Sequence, residues 1–171
     1  MYSVTQRANV ILCFGGIVLA GVLLLNILSR PFFPNEVTVD LKLSSLPRFN
    51  QNTFKGPVEY AQLVVDIQTD LTHLFNWNTK MLFLYITAEY QTDEYQTNEI
   101  VIWDYILKEK SDAVINKKQQ WEYFVIDPAM SLRNNTVNLR FNYNIIPISG
   151  LVTKHKVGSH TFKLPSNYIK A

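Results

Sequence analysis

Cysteine is almost absent from this chain. Cys13 is the only one in 171 residues, so no disulfide can close within the chain and no cysteine-based zinc site can be assembled. Glycine is also scarce: the 6 residues at positions 15, 16, 21, 56, 150 and 158 form no phosphate-cradling loop. Charge is thin as well. Only 18% of residues are charged, and 16 Lys+Arg against 14 Asp+Glu leave a net +2. Lys108, Lys110, Lys117, Lys118, Lys154 and Lys156 are dispersed among acids and aromatics, which argues against nucleic acid as a partner. With 47% hydrophobic residues, the chain is too apolar for disorder.

The motifs of common enzymes are missing too. There is no G-x-S-x-G elbow, no S-x-x-K dyad, no H-E-x-x-H, no EF-hand loop and no D-x-D. Gly158-Ser159-His160 places residue types side by side, but a triad is brought together by the fold and not by adjacency. Asp66 and Asp70 fall at even spacing in a strand-like run, so solvent exposure on one face explains them. No catalytic residue, metal or cofactor is expected. On the residues alone two other classes stay open: an enzyme of unfamiliar type using His155 or His160, and a binding module for cargo or glycans.

What the chain does have is one long apolar run, ANVILCFGGIVLAGVLLLNILS from Ala8 to Ser29, without a charge. The 21 residues from Ala8 to Leu28 make about 31 Å of helix, enough for a hydrocarbon core of about 30 Å. A cleaved signal peptide is the rival reading, yet Ile27 stands where its cleavage site needs a small residue. An uncleaved membrane anchor over 8–29, behind a short tail of residues 1–7, fits better. Pro31 and Pro34 stop the helix, and Phe32 with Phe33 suit the aromatic belt at a membrane surface. Gly15, Gly16, Ala20 and Gly21 form a small-residue patch that admits a partner helix in lipid. The frequency of glycine in membrane helices accounts for it equally well.

Residues 30–171 are enough for one core, and their periodicity is mostly two. Val37, Val39, Leu41 and Leu43 alternate with polar neighbours, as do Val137, Leu139, Phe141, Tyr143 and Ile145. Strands are also expected at Leu63–Ile67, Met81–Tyr90, Glu99–Leu107, Trp121–Ile126 and Ser159–Leu164, with a short helix at Ser111–Lys118. The fold class is all-β: one N-terminal membrane helix followed by an antiparallel β-sandwich of two sheets. Met81–Ile86 is apolar on both faces and belongs at the centre of a sheet. Asn134-Asn135-Thr136 is the only N-x-[ST] triplet, in a turn-prone string. If glycosylated, it puts the domain in the endoplasmic reticulum lumen.

Several strings carry a resemblance. They are Phe75-Asn-Trp-Asn-Thr-Lys-Met-Leu-Phe-Leu-Tyr-Ile-Thr-Ala-Glu-Tyr90, Val65-Asp-Ile-Gln-Thr-Asp-Leu71, Tyr2 to Asn9, Ile100 to Asp104, and Val137 to Pro147. Together they resemble the third, non-catalytic subunit family of the eukaryotic signal peptidase complex, essentially end to end. That resemblance implies a single-pass endoplasmic-reticulum membrane protein with a cytosolic tail and a lumenal β domain glycosylated at Asn134. It further implies partnership with the catalytic serine-protease subunit, which is a separate chain, and with the other membrane subunits. Phe75, Asn76, Trp77 and Asn78, at an expected turn, are candidates for the surface that meets a partner, as are Gly16 and Ala20 in the anchor. For Trp77 a core-capping role, with Asn76 and Asn78 bonding the turn backbone, competes with that reading.

Overall fold

The computed structural model describes residues 3–52 and 56–169; Met1 and Tyr2, at the head of the leading tail, lie outside the described residues. Helix α1 spans Val4–Leu28 and begins four residues ahead of the apolar run, because the Ser3 side chain accepts from the Gln6 amide and caps it. None of its residues is buried against protein, and its length and apolarity suffice to cross a membrane. A 3-10 turn at Arg30–Phe32, with Pro31 inside it, ends the helix.

Among the described residues, eight strands follow in two antiparallel sheets. They are β1 Val39–Asn52, β2 Val58–Asp70, β3 Thr79–Tyr90, β4 Asn98–Leu107, β5 Val114–Gln120, β6 Val125–Asp127, β7 Thr136–Pro147 and β8 Thr153–Lys163. One sheet runs β1-β2-β5, with β6 continuing beside β2; the other runs β4-β3-β7-β8. The period-two pattern sets which side faces in. Ala61, Leu63, Val65 and Ile67 of β2 meet Leu82, Leu84 and Ile86 of β3 and Leu139, Phe141 and Tyr143 of β7 in one core. As expected of a run apolar on both faces, β3 is central: Leu82, Leu84 and Ile86 are buried, and the half-buried outward rings of Phe83 and Tyr85 stack at 5.4 Å.

Two expectations are corrected. Ser111–Lys118 is not a helix. A single 3-10 turn, Lys110–Asp112, leads into β5, because Lys117, Lys118, Gln119 and Gln120 supply no apolar stripe for a helix, whereas an edge position beside β2 needs only Ile115 buried. Trp121–Ile126 is not one strand either. Gln119 adopts φ 54 with its amide donating to Asp66, and the chain then bends so that the Glu122 and Tyr123 amides both donate to the Ile102 carbonyl of β4. Pairing resumes only at Val125. Loops at one end of the sandwich (71–78, 108–113, 148–152) lie towards α1; those at the other end include 91–97 and 128–135.

Candidate functional site

The β2–β3 turn is built by its own asparagines. The Asn78 amide donates to the Asn76 side chain at 2.9 Å, the Thr79 amide to the Asn76 carbonyl at 3.1 Å, and the Thr79 hydroxyl to the Leu74 carbonyl at 2.7 Å. Asn78 is buried and stitches this turn to the β7–β8 loop. Its Nδ2 donates to the Ser149 carbonyl and its Oδ1 accepts from the Ser149 amide, each at 2.9 Å, while its carbonyl accepts from the Ile148 amide at 2.7 Å.

The last turns of α1 dock on that platform. Asn26, polar within an apolar run, accepts at Oδ1 from the Trp77 indole at 3.1 Å and donates to Asn78 Oδ1 at 3.5 Å. Arg30 donates to the Leu151 carbonyl at 2.7 Å and to the Thr153 hydroxyl. Phe33 packs edge-on against Trp77 with centroids 4.7 Å apart. Gly150 sits at φ +108, which favours glycine, and a Cβ there would lie 3.5 Å from Ile27. Of the four turn residues, then, Asn76 and Asn78 hold the backbone and Phe75 is half-buried. Trp77 is exposed except where it meets Asn26 and Phe33, so it does not cap the core.

Titratable groups near this junction are few. His155 of β8 stacks on Tyr143 at 4.8 Å, and its Nε2 is buried with no hydrogen-bond partner among the described residues. Burial, and then the nearby Arg30 charge, push its pKa down, so its ring is neutral at pH 7. His160 stacks on Phe162, and His73 is exposed. Among the described residues, no group of three His, Cys, Asp or Glu side chains is placed to hold a metal ion.

At the opposite end, Asn134 occupies an exposed turn at φ 58, two residues before β7. Two buried carboxylates that the sequence did not single out hold this loop. Glu59 accepts from the Leu132 amide at 2.7 Å, Arg133 at 2.8 Å and the Tyr168 hydroxyl at 2.8 Å. Asp127 accepts from the Ser131 amide and hydroxyl, both at 2.7 Å, and from the Tyr90 hydroxyl at 3.3 Å. The turn signal Asp127-Pro128 was the available clue to one of them. Burial, and then the Asp127 charge, raise the Tyr90 pKa to about 12. Gly16 and Ala20 lie four apart on α1, one above the other on an exposed face that none of the described residues of the β domain covers.

The Signal peptidase subunit family matches residues 1–167 of the chain. Signal peptidase complex subunit 3 of Dictyostelium discoideum is 53% identical over 171 residues, covering 99% of this chain and 98% of the relative. The protein of that name in Drosophila melanogaster is 35% identical over 98% of this chain and 97% of its own length. The one in Homo sapiens is 33% identical, over 89% and 87%.

Proposed function

Because this chain belongs to the Signal peptidase subunit family, we propose that it is the non-catalytic subunit that supports the complex's serine-protease chain. Its α1 crosses the endoplasmic-reticulum membrane, with residues 1–7 cytosolic and the sandwich lumenal. The work is positioning. A reactive centre misplaced by about 1 Å can lose on the order of a hundredfold in rate, so a support that fixes height and angle matters without doing chemistry.

The observation that carries the reading is the junction. Asn26 bonded to Trp77 and Asn78, and Arg30 bonded to Leu151 and Thr153, fasten the sandwich to the helix without a loose linker. A tether alone needs none of these bonds. The face of α1 bearing Gly16 and Ala20 is the surface offered to a neighbouring span, where small side chains allow close backbone approach. Phe75 to Asn78 contribute to the assembly chiefly by holding the sandwich at the helix.

Reconstitution tests this. Signal-peptide cleavage by the catalytic and remaining membrane subunits in lipid should be strongly reduced without this chain and recover when it is added. Full cleavage in its absence would end the proposal. Orientation has a separate readout: an endoglycosidase-sensitive mobility shift, abolished by Asn134→Gln, is expected of a lumenal domain.

A further inference from the structure

We propose that the helix-proximal end of the sandwich is a second membrane contact, in which the β2–β3 turn and the β7–β8 loop rest in the lipid headgroup region beside the span. The inference requires α1 to span the bilayer and is independent of which complex the chain joins. Depth is the first argument. The 18 residues from Ala8 to Leu25, apolar or small except Asn9, make about 27 Å at 1.5 Å per residue, so the hydrocarbon ends close to Asn26. The indole bonded to Asn26 is therefore held at the polar–apolar boundary, where tryptophan's amphipathic ring is favoured.

The second argument is where the uncovered apolar groups lie. Trp77 is 66% exposed, Leu151 83% and Phe32 85%, and Ile148 and Val152 are exposed beside them. All five are in segments that touch the last turns of α1 or continue directly from it. At the same end of the sandwich, the 108–113 loop exposes Lys108, Glu109, Lys110 and Asp112 instead. Around that loop Val114 and Ile106 are exposed singly, whereas five exposed apolar side chains gather at the helix exit. Lys80 and Lys154, the second residues of β3 and β8, are exposed one step further from it and can meet phosphate groups. An apolar patch continuous with a span, at the depth where the span ends, is matched by lipid.

The test uses the full chain carrying Cys13→Ser and one new cysteine, at Leu151, Lys110 or Leu19, labelled with an environment-sensitive fluorophore in phosphatidylcholine vesicles. At Leu151 a blue-shifted emission is expected, quenched by lipid spin-labelled near the headgroup. At Lys110 a water-like spectrum is expected, and at Leu19 quenching by deeply labelled lipid. A Leu151 spectrum like that of Lys110, with Leu19 quenched, overturns the contact while leaving the span intact. A Leu19 label in water overturns both. If Leu151 becomes shielded only when the partner subunits are added, the patch is a protein interface and the lipid proposal fails.

Discussion

Glu59 and Asp127 stand directly opposite each other across the β2–β6 pair, both buried and both pointing into the sandwich. Like charges in that position oppose folding. They persist because each has separate donors, and together those donors shape the 128–135 loop that presents Asn134. Glu59→Ala leaves the Leu132 amide without its acceptor, Arg133 without its ion-pair partner and the Tyr168 hydroxyl with Gln51 alone, and should cost on the order of 3 kcal/mol in a denaturant-unfolding measurement. Hydrogen exchange at residues 131–135 should rise in the same variant. An unchanged exchange rate would separate the loop from Glu59.

Tyr90 gives an alkaline signature. Its folded-state pKa of about 12 lies above the ordinary value of 10.0, so the fold favours the neutral phenol. The stability this confers is fully present below pH 10 and is lost as pH rises towards 12. Tyr90→Phe should therefore be less stable at neutral pH yet decline less steeply across that window. Parallel alkaline limbs in thermal unfolding would count against this assignment.

Neighbouring residues in the β2–β3 turn should behave in opposite ways. Asn78→Ala removes a buried side chain and orphans the half-buried Ser149 amide, and should destabilise the sandwich by about 1–3 kcal/mol. Trp77→Ala removes an exposed ring and should leave unfolding of the β domain within about 0.5 kcal/mol of the parent. Its effect should instead show in complex activity, as loosened alignment of domain and helix.

Gly16→Leu with Ala20→Leu adds bulk to a face of α1 where Ala20 is exposed and a Cβ at Gly16 would meet nothing within 4 Å among the described residues. Stability of the β domain should not change, whereas co-purification with the other subunits should fall. Retention of full assembly would assign α1 to tethering alone.

Much of this fold is legible in the residues because one physical rule governs it. Where Leu139, Phe141 and Tyr143 alternate with polar neighbours, only a half-buried strand satisfies the pattern, and β7 forms as expected. The rule fails where a local event breaks the period. Gln119 at positive φ, bonded to Asp66 53 positions away, bends the chain just ahead of Trp121–Ile126, and that run, which reads as a single strand, pairs only from Val125. The junction was illegible for the same reason. Asn26 reads as an isolated polar residue in a span until Trp77, 51 positions later, arrives beside it. Glu59 gives no sequence signal, since a carboxylate at a strand's start is ordinarily solvated.

β7 runs the length of the sandwich, from Thr136 beside the acceptor loop to Pro147 beside the helix junction. Its 12 residues amount to roughly 40 Å of extended chain, so in the proposed lumenal arrangement a sugar on Asn134 would stand far from the membrane surface, at the end of the domain remote from α1. A hydrated oligosaccharide there would sweep out that upper region and bar other proteins from it. Neighbouring subunits would then be left with the flanks, and the direction from which they could approach would be set by where the carbohydrate is not.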